Sequence, residues 1–228
     1  MRITGGTLRG RSIKAPGGKV RPTQDKVREA LFSILGRRID GARFLDLFAG
    51  SGAVGLEAWS RGAEFVCWVE SDHRVLSVLK QNVRQLCGGG PICGGTLPQR
   101  GKIRVTCGDA IRFLKKRLVE EQFDIIFADP PYTRSQPPSR RSGAMARREG
   151  GRSEVRSQKS RDSGLSEDQG WLDRLLEALG VGKMLAKGGL FIMEQRAGKP
   201  QEFTGQEGLV LVDERIYGET RLRMFQKK

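Results

Sequence analysis

The 228-residue chain has one histidine, four cysteines and 26 acidic residues against 41 basic ones. Each scarcity excludes something. With His73 as the single histidine, a zinc centre runs short of ligands; Cys87 and Cys93 bracket the loop CGGGPIC, but no CxxC pair occurs, so no metal is expected. Four irregularly spaced cysteines do not make a disulfide framework and fit unpaired thiols in a reducing cytoplasm. No apolar run approaches the roughly 18 residues a membrane span needs, and the start MRITGGTLRGR lacks a signal peptide's apolar stretch. A cytoplasmic chain without membrane contact, acting as a monomer, is the expectation. A hydrophobic fraction of 37% supports one core and leaves part of the chain outside it.

The net charge of +15 is unevenly spread. Residues 1–43 carry +8, residues 44–132 only +1, residues 133–170 +4 and residues 171–228 +2. A basic surface beside a near-neutral core attracts polyanions, and nucleic acid is the partner this pattern favours.

Residues 2–13 mix Ile3, Leu8 and Ile13 with Gly5, Gly6 and Gly10 and with three arginines, which predicts a short basic β-hairpin. We read residues 1–22 as this extension and 23–228 as the main domain. Thr23 is placed to cap a helix whose apolar positions Val27, Ala30, Leu31, Ile34 and Leu35 recur at helical spacing. From Arg43 onward strands and helices alternate. Strands are predicted at 43–48, 65–69, 103–107, 123–128 and 190–194, and helices at 54–61, 73–86, 110–120 and 171–185. This alternation predicts an α/β fold, a doubly wound Rossmann-like sheet with helices on both faces. Segments 210–213 and 222–226 read as a terminal antiparallel pair at its edge. Two stretches do not fit the core, 87–101 and 133–170; rich in Gly and Pro or in Ser, Arg and Gln, they read as flexible insertions.

The chemistry gathers where strands end. The first strand runs into Asp46-Leu47-Phe48-Ala49-Gly50-Ser51-Gly52, a glycine turn at the end of the sheet where open α/β folds bind ligands. Glu70 ends the second strand, 20 residues after Gly50, where a carboxylate can accept from ribose hydroxyls, and Asp109 follows the third, within reach of an adenine amine. So many carboxylates beside a glycine turn repel a pyrophosphate and welcome a cationic adenosyl ligand; S-adenosylmethionine fits, and no GxxxxGK[ST] run exists to hold a triphosphate. The sharpest signal is Asp129-Pro130-Pro131-Tyr132 after the fourth strand. Asp129 and the Pro130 carbonyl can both accept from one exocyclic amine, the prolines fix them, and Tyr132 offers a ring for a base to stack on. Two acceptors stabilise the positively charged amine nitrogen that forms as it attacks a methyl group, so no strong base is required.

Together, RPTQDKVREALF (21–32), LDLFAGSGAVGLEA (45–58), VESD (69–72), GDA (108–110), DPPY (129–132) and YGET (217–220) resemble the RsmD family, bacterial methyltransferases that modify N2 of a guanine in 16S ribosomal RNA. The resemblance implies a class I methyltransferase fold. It implies S-adenosylmethionine held by Asp46, Phe48, Ala49, Gly50, Ser51, Gly52, Glu70, Asp109 and Ala110, and a target guanine held at Asp129, Pro130, Pro131 and Tyr132. It also implies 16S RNA or an assembling small subunit as partner, docked on Arg2, Arg9, Arg11, Lys14, Arg21, Thr23 and Arg28. The family passes from DPPY to its next helix by a short connection, whereas 133–170 intervenes here. Competing readings are a methyltransferase for another amine, such as adenine N6 in DNA, and a non-catalytic RNA-binding or assembly factor.

Overall fold

The computed structural model describes residues 1–17, 25–88, 102–116, 121–131, 167–198 and 208–228. Seven strands form one sheet: β1 (Arg43–Leu47), β2 (Phe65–Glu70), β3 (Lys102–Cys107), β4 (Phe123–Ala128), β5 (Leu185–Arg196), β6 (Leu209–Tyr217) and β7 (Thr220–Lys227). Their spatial order is β3-β2-β1-β4-β5-β7-β6. The first five are parallel, and β7 runs antiparallel between β5 and β6. The strand order switches direction between β1 and β4, and it is at the carboxyl ends beside such a switch that open α/β sheets form their ligand crevice. This is the class I methyltransferase fold with the antiparallel terminal pair that the sequence predicts.

Central parallel strands are buried on both faces, so they read as apolar runs rather than alternations. Here alternate residues feed two cores. Phe44, Val66, Trp68, Ile125, Phe127 and Ile192 pack under α1 (Asp25–Leu35), α2 (Ala53–Ser60) and α3 (His73–Cys87). Leu45, Leu47, Cys67, Ile126, Phe191 and Phe225 pack under α4 (Ala110–Leu114) and α5 (Glu167–Gly182). The period of two carries a consequence for the ends of the strands. Asp46, Glu70 and Glu194 fall at even steps from the first set and share the α1–α3 face, and Asp129 follows the end of β4.

Several boundaries differ from the sequence reading. The helix predicted over 110–120 is described only to Leu114, with 117–120 outside the described residues. β5 begins at Leu185, five residues before its expected start, because Phe123 pairs with Leu185 and the register then shifts past Gly188 and Gly189 to join Ile125 with Leu190. α5 begins at Glu167, ahead of Trp171. The loop readings at 87–101 and 133–170 lie outside the described residues, except for Cys87 and Gly88 at one end and the start of α5 at the other.

The N-terminal segment corrects the expected hairpin. A single antiparallel bridge, Arg2 with Ser12, replaces a ladder of strands, and a 3-10 turn at Gly6–Leu8 closes it. Ile3 N–H donates to Arg11 O at 3.0 Å and Gly10 N–H to Ile3 O at 2.8 Å. Ile3 and Ile13 are buried in the same core as α1–α3, so the segment is seated on the sheet domain rather than projecting from it. The predicted boundary at 22/23 lies outside the described residues. No helix among the described residues is long and apolar enough to cross a membrane.

Candidate active site

The glycine turn is built by backbone geometry that only some residues tolerate. Phe48, Gly50 and Gly52 have φ of 57°, 56° and 80°, left-handed values that cost a residue with a side chain. Ala49 N–H reaches across to Val69 O at 3.0 Å, and Gly52 N–H closes the turn on Ala49 O at 2.7 Å. The two sides of the turn differ. A Cβ on Gly55 would stand 2.2 Å from Trp68 Nε1, so α2 lies this close to β2 where that Cβ is missing, and one on Gly52 would stand 2.3 Å from Leu79 Cδ1 of α3. Among the described residues, a Cβ on Gly50 would meet nothing nearer than Phe48 O at 3.9 Å. The turn is thus packed on its inner side and open on its outer side at Gly50.

Asp46 lies beneath this turn, 2% exposed. Its Oδ2 accepts from Gly55 N–H at 2.9 Å, so a strand side chain caps the amino end of α2, where Gly52 has none to offer. Burial pushes its carboxyl well above the usual carboxylate range; the Gly55 bond opposes this, while the charges of Asp129 and Glu70 add to it. At the end of β2, Glu70 Oε2 accepts from Gly50 N–H at 2.9 Å and Oε1 from Asp72 N–H at 2.8 Å. Glu70 therefore holds the turn as well as facing the crevice.

Strand register brings Asp129 into the group. Asp46 is level with Trp68 on one side and Phe127 on the other; Glu70 ends β2 two residues beyond that level, Asp129 follows β4 directly, and the charges of both act on Asp46. Pro130 is buried and Pro131 exposed; Tyr132 lies outside the described residues. Asp109 is exposed and caps α4, accepting from Arg112 N–H at 2.8 Å, and Gly108 N–H ties its loop to Glu70 O at 3.0 Å. Ala110 is buried behind it. Phe48 meets Trp171 of α5 edge to face at 5.2 Å.

Of the residues assigned to RNA docking, Arg2, Arg9, Arg11 and Lys14 are exposed on the N-terminal segment, and Arg21 and Thr23 lie outside the described residues. Arg28 is a correction. It is fully buried, with Nε on Glu57 Oε2 at 3.3 Å and Nη2 on Asp25 Oδ1 at 3.1 Å and on the Arg2 carbonyl. Its position on α1, between Val27 and Leu31, turns it toward the core, where a guanidinium persists only if paired.

Three further residues went unnoticed in the sequence. Glu57 of α2, fully buried, accepts from Thr4 N–H and Gly5 N–H at 2.9 and 2.7 Å, from the Thr4 hydroxyl at 2.8 Å and from Arg61 Nε at 2.9 Å. Asn82 of α3, also fully buried, bonds Lys14 and Ser51. Glu194 is buried on β5, one residue past Met193, which pairs with Ala128 of β4. Polar residues breaking the apolar faces at Leu56–Ala58, Leu79–Val83 and Ile192 were the available signal.

Comparison with known proteins sharpens this picture. The profile described as Conserved hypothetical protein 95 matches residues 1–142. YlbH of Bacillus subtilis, named as a candidate rRNA methyltransferase, is 41% identical over 134 residues, 58% of this chain and 67% of its own length. The ribosomal RNA small subunit methyltransferase D of Escherichia coli is 39% identical over 135 residues, 59% of this chain and 61% of its own. The solved structure of a candidate methyltransferase, YhhF of Escherichia coli, superimposes with a TM-score of 0.70 at 29% identity, covering 100% of this chain and 98% of that one. The matched region holds the N-terminal segment, the glycine turn and Asp129 through Tyr132, and by that match the chain belongs to the Conserved hypothetical protein 95 family, that of the ribosomal RNA small subunit methyltransferase D.

Proposed function

We propose that this chain is an S-adenosylmethionine-dependent ribosomal RNA methyltransferase that modifies the exocyclic N2 amine of a guanine in 16S RNA, on the small ribosomal subunit. The observation that carries this reading is the gathering of Asp46, Glu70 and Asp129 at the carboxyl ends of three adjacent strands, where the charges of the latter two act on Asp46, beside the glycine turn. A carboxyl whose ionisation is held back by burial, and further by the charges of Asp129 and Glu70, favours a positively charged ligand over a phosphate. When bound, S-adenosylmethionine supplies an electrophilic methyl group on a sulfonium cation. Glu70, already held by Gly50 N–H, keeps lone pairs for ribose hydroxyls, and Asp109 stands at the neighbouring strand end for the base.

In this reading Asp129 and the Pro130 carbonyl accept both N–H groups of the target amine. That orients the nitrogen lone pair toward the methyl group and stabilises the positive charge the nitrogen acquires. The proton leaves afterwards through Asp129 or water. Guanine N2 is shielded in a duplex, so the base enters unpaired or extruded, with Tyr132 as its stacking partner. Arg2, Arg9, Arg11 and Lys14, all exposed on one short segment, dock the RNA backbone.

The test is transfer of labelled methyl from S-adenosylmethionine to unmodified small subunits and to naked 16S RNA, followed by nucleoside analysis. Labelled N2-methylguanosine is expected, with subunits the better substrate. Labelled methyladenosine would replace the substrate, and no label with cofactor bound would move the chain to the non-catalytic reading.

A further inference from the structure

The basic N-terminal segment and the glycine turn meet at one buried side chain. Asn82 Oδ1 accepts from Lys14 N–H at 2.9 Å, and its Nδ2 donates to Lys14 O and to Ser51 O, each at 2.9 Å. One acceptor faces a donor and two donors face acceptors, so a single amide orientation satisfies all three contacts. An asparagine is a poor choice for this site on two counts. It sits mid-helix, where its side chain competes with the backbone, and on the buried face formed by Val75, Leu76, Leu79, Val83 and Leu86. A leucine there would extend the apolar face and leave two loop segments without their common partner.

The residues joined are those that the proposed function needs at once. Lys14 belongs to the docking segment, and Ser51 stands between Gly50, held by Glu70, and Gly52, which starts α2. The far flank of the turn is tied to the same segment, since Glu57 of α2 binds Thr4 and Gly5. Both bonds to Lys14 use its backbone, leaving the ammonium group exposed for a phosphate.

We propose that Asn82 is a positioning residue that couples RNA docking to cofactor binding: ordering the Lys14 segment on RNA fixes the Ser51 carbonyl and hence the turn that receives S-adenosylmethionine. This rests on the reading of the segment as the RNA-docking surface. Linkage makes the effect reciprocal, and coupling of this kind commonly amounts to about fivefold or more in affinity.

The experiment measures the Kd of S-adenosylmethionine by calorimetry, alone and with saturating 16S RNA, while RNA binding is followed separately by fluorescence anisotropy. Wild type is expected to bind the cofactor at least about fivefold tighter in the presence of RNA. Asn82→Leu, which fills the buried volume, is expected to bring that ratio to one; Asn82→Ser, too short to reach both segments, carries the same expectation if the leucine variant does not fold. Lys14→Ala is expected to weaken RNA binding and keep the ratio, because its backbone remains. A residue that merely supported the fold would weaken both cofactor affinities alike and leave the ratio unchanged, so a retained ratio in the Asn82 variants overturns the inference. A wild-type ratio of one with RNA bound also overturns it and leaves the docking reading intact. Failure of wild type to bind RNA overturns both.

Discussion

Two buried carboxylates, Glu57 and Asp46, lie eleven positions apart in one strand-to-helix unit and are handled in opposite ways. Glu57 is saturated: guanidinium groups from Arg28 and Arg61 and three donors from Thr4 and Gly5 surround it. Asp46 receives a bond from Gly55 N–H and has two carboxylates as its charged neighbours, and its carboxyl is held above the ordinary range. Burying a charge is costly unless it is compensated. Glu57 is compensated from within the chain and so fastens the N-terminal segment to α2. Asp46 has no such compensation among the described residues, and in the proposed reading a cationic ligand brings the positive charge. A buried acid left short of partners marks the candidate site; one with all its partners marks architecture.

The contrast can be broken from either side. The largest effect is expected from Glu57→Gln, which leaves Arg28 buried beside a neutral amide; loss of stability of about 3–5 kcal/mol should show as a lower denaturant midpoint. Next is Asp129→Ala, expected to slow methyl transfer by about a hundredfold or more in single-turnover assays with cofactor affinity nearly unchanged. Retention of more than about a tenth of the rate would remove the role given to Asp129. Replacing Arg9 and Arg11 together by Ala should lower RNA affinity and flatten its salt dependence by about 1.4 in the log–log slope. Arg28→Ala, by contrast, should act on stability, since that side chain is buried and bonded.

The smallest change is Asp46→Asn, and its sign is opposite to that of Glu57→Gln. Because burial raises the Asp46 carboxyl, its contribution to stability is present in full below the ordinary carboxylate range and is lost as pH rises through the raised value. The asparagine variant keeps an acceptor for Gly55 N–H and escapes that loss. Its melting temperature should match wild type near pH 4 and exceed it by a few degrees at neutral pH. Its affinity for S-adenosylmethionine should fall by about tenfold.

Much of this was legible in the sequence because the signals were local. A strand ending in Asp46 and a glycine turn, a second ending in Glu70 and a third element ending in DPP each announce themselves within a few residues, and the topology follows from their alternation. What was not legible required knowing which face a residue takes. Arg28 reads as one more cation in a basic region, and only the packing of α1 turns it inward onto Glu57. The N-terminal glycines and arginines suggest a short basic hairpin, and what the pattern does not tell is how burial of Ile3 and Ile13 and the bonds to Glu57 hold the segment to the domain. Asn82 looks like an ordinary helix residue until the loops on either side of it are brought together by the fold.

The central claim, that Asp46 has no basic partner among the described residues and that the cofactor supplies the positive charge beside it, is tested most directly by proton release. Calorimetric titration with S-adenosylmethionine in buffers of different ionisation enthalpy, between about pH 5 and pH 8, counts the protons exchanged on binding. A cation arriving beside Asp46 lowers its raised pKa, so wild type should release protons on binding and Asp46→Asn should release fewer. No net release at any pH in that range, or equal release by the asparagine variant, would contradict the account.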